Sequence, residues 1–167
     1  PSLVARFERN LEVMDGLIGD ALRFARGTQE TPQNLELLPF VRDVLSGFEQ
    51  TIPLTTVDAD DLRLALAPGA LQRVLVNVIS NALQHAEGVR VHVDGRRIEI
   101  SDAGPGIPVE ARDAVFEPFY RLDRSRNVHT GGSGLGLAIV RQLCQAQGWR
   151  IRIEESSEGG AKFVLDL

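Results

Sequence analysis

The chain has 167 residues, of which 43% are hydrophobic and 25% are charged, and its formal net charge is −5. This length suits one domain with at most a short appendage, and the apolar content excludes intrinsic disorder. The excess of acidic residues argues against a broad electrostatic surface for nucleic acid. The single cysteine excludes an internal disulfide and a cysteine-built zinc site. No apolar run approaches the roughly 20 residues that span a bilayer. Because the chain begins at Pro1 without a signal-peptide pattern, we expect a soluble piece of a longer protein.

The first segment, residues 2–26, has the pattern of one continuous helix. Apolar side chains recur at alternating steps of three and four in a heptad seam: Val4, Phe7, Leu11, Met14, Ile18, Ala21 and Ala25. The seam is narrow and abuts the polar stretch GTQETPQN, which is typical of a turn or linker. We therefore expect a bundle or coiled-coil helix attached to a separate domain. An ordinary amphipathic helix packed on its own domain is the alternative.

From residue 35 onward, short strands alternate with helices. Apolar alternation predicts strands over 35–38, 53–58, 62–67, 149–156 and 161–167. Helical spacing and Pro positions predict helices over 39–49, from 68 to about 86, near 109–115, and from the glycine cluster at 131–136 to about 147. Asp94-Gly95 within VRVHVDGRRIEIS and the later Glu158-Gly159-Gly160 both predict hairpins. Because hairpins outnumber crossovers, the layout predicts a mixed α/β domain and not a Rossmann-type parallel sheet.

The long helix carries a polar row beside its apolar stripe. Asn77, Asn81 and His85 are four residues apart, so they lie one above another at the edge of that stripe. Asparagine is a mediocre helix former, and its carbonyl oxygen suits Mg²⁺, which takes other ligands from phosphates and water. The row therefore indicates the rim of a pocket. Two asparagines satisfied by backbone or water are the alternative.

The segment SDAGPGIP follows a predicted strand directly. Its glycines, Gly104 and Gly106, allow a tight turn and a close approach of the backbone to a ligand. Asp102, at the end of the strand, is an acceptor suited to an exocyclic amine such as that of adenine. A Gly-Pro turn with an Asx cap is the alternative.

Glycines also precede and enter the next helix, in TGGSGLGLAIV. Such a loop at a helix N-terminus offers unpaired N–H groups and the positive end of the dipole, which suits phosphate. The Gly-Lys-Ser/Thr ending of a Walker loop is absent, and no strand precedes the loop as a dinucleotide fingerprint requires. A mobile lid is a further possibility, whereas a flexible linker fits poorly because Leu135 and Leu137 belong to a periodic helix.

Between these glycine segments lies FEPFYRLDRSR. Its aromatic residues, Phe116, Phe119 and Tyr120, suit a hydrophobic anchor for a loop. Its arginines suit phosphate or ion pairs at the surface: Arg121, Arg124 and Arg126. Cys144, on an apolar helix face, is interpreted as core.

Together, these segments resemble the catalytic ATP-binding domain of sensor histidine kinases, in the GHKL superfamily that also contains gyrase B, Hsp90 and MutL. The N box is similar to LQRVLVNVISNALQHA, the first glycine box to SDAGPGI, the F box to FEPFYR and the second glycine box to GGSGLGLAIV. All four occur in the family's order and spacing. The preceding helix, which ends LIGDALRFAR, is similar to the end of the second helix of the family's dimerisation and phosphotransfer domain.

The resemblance implies a two-layer α/β sandwich of the Bergerat type, with a mixed, largely antiparallel sheet and helices on one face. It also implies ATP held with Mg²⁺ between the helical layer and a lid, with Asn81 as the main metal ligand beside Asn77. Asp102 then reads adenine, and Phe116 and Phe119 pin the base of the lid. The implied catalytic residues are Asn77 and Arg121, and the implied nucleotide-binding residues are Asn77, Asn81, His85, Asp102, Gly104, Gly106, Ile107, Phe119, Gly132, Gly134, Leu135 and Gly136.

By the same resemblance, residues 1–27 end a dimerisation helix, 28–34 are a linker and 35–167 are the catalytic domain. The implied function is transfer of the γ-phosphoryl group of ATP to a histidine on the dimerisation domain of a homodimer, yielding ADP. A response-regulator receiver domain then takes the phosphoryl group, and no nucleic-acid partner is expected. The implied location is cytoplasmic, in a protein anchored in the inner membrane.

The chain departs from the family's pattern in places. Gln84 stands where the family often has a basic residue that contacts phosphate, and Ala103 replaces a commoner asparagine or aspartate. The family's acceptor histidine lies on the first bundle helix, whereas the histidines here, His85, His92 and His129, all fall within the ATP domain. We therefore expect the chain to bind Mg·ATP without phosphorylating itself.

Two other functions are open alternatives. The first is an ATP-hydrolysing switch, whose gyrase-like members carry a general-base glutamate where Asn77 stands; an amide cannot take that proton, which favours a kinase. A neutral imidazole is already a nucleophile, so positioning and charge neutralisation suffice for its phosphorylation. The second is a degenerate nucleotide-binding or dimerisation module, for which Gln84 is the one hint.

Overall fold

A computed structural model describes Gly19, residues 30–122 and residues 134–167. The helices of this part of the chain are α1 (Leu37–Ser46), α2 (Pro68–His85) and α3 (Gly136–Gln147). Its strands are β1 (Gln33–Glu36), β2 (Leu54–Val57), β3 (Arg63–Leu66), β4 (Arg90–Asp94), β5 (Arg97–Ser101), β6 (Arg150–Glu155) and β7 (Ala161–Asp166). The predicted helix over 2–26, apart from Gly19, and Gly132 with the rest of 123–133 lie outside the described residues.

Five strands form one mixed sheet in the order β2-β4-β5-β7-β6. β2 runs parallel to β4, and the other neighbouring pairs of this sheet are antiparallel. Both predicted hairpins are present, as the pairs β4–β5 and β6–β7. β1 and β3 pair antiparallel in a separate two-stranded sheet. The predicted mixed, largely antiparallel sheet is thus confirmed.

One face of the five-stranded sheet is apolar and packs against the helices. Its central side chains are fully buried, as are those of the stripe on α2: Val93, Ile98, Ile100, Phe163 and Leu165 on the sheet, and Leu71, Val74, Leu75 and Val78 on the helix. The opposite face carries charged side chains, among them Lys162, which lies 2.9 Å from Glu154 and 3.9 Å from Glu99. This alternation is typical of an antiparallel sheet with one covered face. It confirms the two-layer α/β sandwich.

Local chemistry explains where the two longer helices begin and end. α2 begins with Pro68, whose fixed φ and missing N–H suit the first helical position. α3 ends at Gly148, which adopts a left-handed φ of 71°, and Trp149 N donates to Cys144 O at 2.8 Å. That geometry is a glycine cap, which satisfies the last carbonyls of the helix.

The structure corrects three predicted elements. Leu37 and Leu38, predicted as part of a strand over 35–38, begin α1, because β1 lies earlier in the chain and both leucines are buried in the helical layer. The helix predicted over 39–49 therefore starts two residues earlier and ends at Ser46. The segment 109–115 forms two 3₁₀ turns, Val109–Ala111 and Ala114–Phe116, and no α-helix.

In the part of the chain that the structure describes, none of the helices has the length and apolar character that a membrane span requires.

Candidate functional site

A cavity of about 390 Å³ opens between α2, the loop after β5 and the start of α3. It is lined by most of the residues that the sequence predicts for a site: Asn77, Asn81, His85, Asp102, Gly106, Ile107, Arg121, Gly134 and Gly136. Predicted site residues that lie up to 59 positions apart in the sequence therefore line the same cavity. Gly104, Phe119 and Leu135 lie outside this lining, and Gly132 lies outside the described residues.

The asparagine row of α2 faces the cavity because the apolar stripe beside it is buried. Asn77 Nδ2 donates to Arg73 O, one turn earlier, at 2.8 Å. The backbone thus satisfies the amide donor of Asn77, as the alternative interpretation of the row proposed. The carbonyl oxygen lies beside the start of α3, since a Cβ atom on Gly136 would be 3.0 Å from Asn77 Oδ1. Gly136 therefore permits the close approach of α3 to the row.

Asp102 is the most buried charged residue among the described ones, with 5% of its surface exposed. Its Oδ1 accepts hydrogen bonds from Gly104 N at 2.9 Å and from Ala161 N at 3.1 Å. The bond from Gly104 is the Asx turn that the sequence allowed. No described residue donates to Oδ2, although Asp102 lines the cavity. A buried carboxylate oxygen without a donor is costly, so it favours a ligand that brings one.

The two glycines after Asp102 are required by the protein's own packing. A Cβ atom on Gly104 would lie 2.5 Å from Ala86 Cβ, at the end of α2. Gly106 has a φ of 71°, and a Cβ atom there would lie 3.0 Å from Gly159 O. Gly106 also lines the cavity, whereas Gly104 does not line it and packs against Ala86.

Phe116 and Phe119, which share one motif, occupy different environments. Phe116 is buried, and the guanidinium of Arg141 on α3 lies 5.8 Å from its ring centre. Phe119 is 66% exposed and has a φ of 64°, a strained conformation for a side chain of this size. Its N donates to Gly134 O at 2.9 Å, which joins the end of the motif to the start of the α3 segment. Phe116 is thus a core anchor, and Phe119 acts through its backbone.

The remaining predicted residues are peripheral or structural. Arg121 lines the cavity beside Tyr120. Leu135 is buried at the N-cap of α3, where its carbonyl accepts from Ile139 N at 2.9 Å. Cys144 is buried, and that burial raises the pKa of its thiol to about 12, which agrees with a core role.

Sequence reasoning missed several residues of the cavity. Ser80, which lines it, lies three residues after Asn77, so helical spacing alone could have placed it there. Gln84, which the sequence singles out only as a departure from the family's pattern, lines it as well. Ala161 also lines the cavity and binds Asp102, but it lies on the last strand, 59 positions away. No sequence signal connects these two residues.

The candidate metal ligands at the cavity are neutral oxygen atoms. Among the described residues, no three His, Cys, Asp or Glu side chains form a group able to hold a metal ion. Asn77 and Asn81 nevertheless supply amide oxygens at the cavity, and Mg²⁺ often takes only one or two protein ligands when phosphates and water supply the rest. The donor set therefore suits a metal ion that arrives with a phosphate ligand.

Residues 67–167 match the family described as "Histidine kinase-, DNA gyrase B-, and HSP90-like ATPase". The chain belongs to this family. Among its relatives, it is 42% identical over 106 residues to the sensor histidine kinase CpxA of Escherichia coli K12, covering 60% of this chain and 23% of CpxA. It is 36% identical over 170 residues to the sensor protein RstB of the same organism, covering 93% of this chain and 39% of RstB. The chain thus spans well under half the length of these relatives.

Solved structures support the same assignment. Full-length ShkA in complex with AMPPNP is 26% identical, with a TM-score of 0.70 over 89% of this chain and 34% of ShkA. The Acinetobacter baumannii histidine kinase AdeS has a TM-score of 0.74 over 100% of this chain and 85% of AdeS; at 20% identity it shows the fold alone. The chain therefore contains an ATP-binding catalytic domain of the sensor histidine kinase type.

Proposed function

We propose that the cavity binds Mg·ATP, and that the full-length protein transfers the γ-phosphoryl group to a histidine on its own dimerisation domain. A receiver domain of a response regulator then accepts the group. The observation that carries this proposal is the meeting, in one cavity, of the asparagine row, the glycines that open α3, and a buried carboxylate with one oxygen to which no described residue donates. The whole protein is proposed to be a homodimer with an inner-membrane anchor and this domain on the cytoplasmic side.

Each end of the cavity suits one end of ATP. Oδ2 of Asp102, to which no described residue donates, can accept a hydrogen bond, and the 6-amino group of adenine donates one. Gly134 and Gly136 lie at the N-terminus of α3, where unpaired N–H groups and the helix dipole favour phosphate. Arg121 adds a positive charge to the lining of the cavity.

The asparagines suit a metal-assisted transfer. Asn81 and Asn77 are proposed to hold Mg²⁺, which when bound neutralises charge on the phosphates. Asn77 cannot remove a proton from water, because an amide has no free basic site. A neutral imidazole needs no such base: its nitrogen forms the N–P bond while the bond from the γ-phosphorus to the bridging oxygen breaks and ADP leaves. These properties favour a kinase over a hydrolase.

We do not propose the two described histidines, His85 and His92, as acceptors of the phosphoryl group. His85 lines the cavity from the C-terminal end of α2, and His92 lies on the charged face of the sheet, where its Nδ1 is 2.8 Å from Thr55 Oγ1. His129 lies outside the described residues. We propose that the acceptor belongs to the first helix of the dimerisation domain, and that residues 1–27, 28–34 and 35–167 are its neighbouring helix, a linker and the catalytic domain.

Two measurements test this function. Calorimetric titration of the purified chain with ATP should show binding that strengthens when Mg²⁺ is added. Incubation with γ-labelled ATP should leave the chain unlabelled and should release no phosphate at a rate above that of buffer. Absence of ATP binding would refute the proposal, steady phosphate release would favour the hydrolytic switch, and labelled protein would place the acceptor within this chain.

A further inference from the structure

We infer that Gly160, in the turn between β6 and β7, is a positioning residue that sets the base preference of the nucleotide site through Asp102. The inference rests on the proposed function, because it concerns how Asp102 faces a purine in that cavity. Gly160 belongs to none of the four motifs and does not line the cavity. Its effect is therefore indirect.

The space beside Gly160 is already filled by Asp102. A Cβ atom built on Gly160 would lie 2.2 Å from Asp102 O, 2.3 Å from Asp102 Oδ1 and 2.6 Å from Asp102 C. Cβ atoms essentially never approach other atoms closer than 3.0 Å. Gly160 is also absent from the glycines with a positive φ. Its requirement for glycine is therefore steric, and any side chain at this position must displace Asp102.

The same turn holds one oxygen of the Asp102 carboxylate. Ala161 N, one residue after Gly160, donates to Oδ1 together with Gly104 N. Asp102 N in turn donates to Ala161 O at 3.0 Å. A displacement at position 160 therefore disturbs both the place of the carboxylate and one of the two donors that orient it.

The turn is itself tightly held. Ser156 N donates to Gly160 O at 2.8 Å, and Gly159 N donates to Ser156 O at 3.0 Å. Glu158 pairs with Arg90 on β4 at 2.7 Å. Because of these contacts, the turn has little freedom to move away from an added side chain, and Asp102 is the group that shifts.

The two carboxylate oxygens consequently have different roles. Two backbone donors occupy Oδ1, whereas no described residue donates to Oδ2, so Oδ2 is the oxygen left to accept from a ligand in the cavity. An acceptor favours the 6-amino group of adenine and disfavours the 6-oxo group of hypoxanthine, which is itself an acceptor. In Asp102→Asn the two backbone donors require the carbonyl oxygen at the Oδ1 position. The amide NH₂ then takes the position of Oδ2 and presents a donor, which reverses the preference.

Titrations with Mg·ATP and Mg·ITP test this inference. We expect the native chain to prefer ATP by about tenfold or more, the scale of one charge-assisted hydrogen bond. Gly160→Ala should lose most of that preference, and Asp102→Asn should bind ITP more tightly than ATP. Gly159→Ala is the matched control: it strains the same turn, at a φ of 86°, but its Cβ meets nothing within 4 Å. It should lower the melting temperature and keep the ATP preference.

Preserved ATP preference in a folded Gly160→Ala variant would overturn the inference, as would an Asp102→Asn variant that does not favour ITP. If Gly160→Ala does not fold, the nearly isosteric Asp102→Asn variant, which adds no side chain to the turn, can still overturn the inference, because it tests the orientation of the carboxylate on which the inference depends. A native chain that binds ATP and ITP equally refutes only the base-preference argument. A native chain that binds neither refutes the proposed function itself.

Discussion

The N-terminal end of α2 is capped by a residue from 39 positions earlier in the chain. Glu30 accepts hydrogen bonds from Gly69 N at 3.0 Å and from Ala70 N at 2.9 Å, one on each carboxylate oxygen. Ala67, at the N-cap position, provides no side-chain hydrogen bond, and the first turn of α2 contains no acidic residue. Glu30 therefore supplies both the cap and the negative charge that a helix N-terminus favours.

The Glu30→Ala substitution should destabilise the domain measurably. Loss of a helix cap costs about 0.5–2 kcal/mol, and loss of the negative charge adds to that cost because it interacts with the helix dipole. We expect the free energy of unfolding to fall by about 1.5 kcal/mol and the melting temperature by about 3–6 °C. Thermal unfolding followed by circular dichroism measures both. Glu49→Ala, which removes an exposed glutamate after α1, is the control for net charge.

Gly69 provides an internal check of this reasoning. A Cβ atom on Gly69 would lie 2.9 Å from Glu30 Oε2 and 3.2 Å from Oε1. Gly69→Ala should therefore displace the carboxylate in the native chain. In a chain that already carries Glu30→Ala, the same change should be neutral or stabilising, because alanine favours the helix. The argument fails if Glu30→Ala and Glu49→Ala melt within about 1 °C of each other, or if the two substitutions at positions 30 and 69 are simply additive.

Three further predictions concern other parts of the domain. Asn81→Ala should weaken Mg²⁺-dependent ATP binding by about tenfold or more with little change in melting temperature. Asn34→Ala on β1 is the control. A large loss of stability of the Asn81→Ala variant without ligand would instead indicate that Asn81 has a structural role. Hydrogen bonds from Lys162 and Arg152 lower the pKa of Glu154, so its small stabilising effect should be complete above the ordinary glutamate pKa and disappear as the pH falls through the lowered value. Glu154→Gln should accordingly cost under about 1 kcal/mol at pH 7 and nothing in acid, which urea unfolding at both pH values measures. The Cys144 thiol, with its pKa raised to about 12 by burial, should react with a maleimide only after denaturation; rapid labelling of the native chain would contradict its place in the core.

Local patterns in the sequence predicted the elements that depend on neighbouring residues. α2 was predicted within one residue, because Pro68 marks its start and its apolar stripe is regular. The β4–β5 and β6–β7 hairpins followed from short turns between alternating strands. Leu37 and Leu38 were assigned wrongly because four apolar-rich residues fit a strand and the start of a helix equally well.

The same distinction, between features set by neighbouring residues and features set by packing, applies to the candidate site. Asn77 and Asn81 could be placed on one helical face from their spacing alone, and the structure brings them to a cavity with Asp102 and Gly136. The packing of Gly104 against Ala86 and the different environments of Phe116 and Phe119 could not be predicted. Both depend on which surfaces meet when the layers pack.

The sequence by itself determined the family motifs, the polar row and the alternation of elements, since periodicity and turn chemistry act over a few residues. Only the tertiary structure decided that Gly160 and Ala161 enclose Asp102, because β7 pairs with β5 across more than fifty positions of chain. It also decided that Glu30 caps α2. Such contacts join segments whose sequences contain no pattern that predicts their pairing. Their steric and hydrogen-bonding requirements exist only once the sheet register is formed.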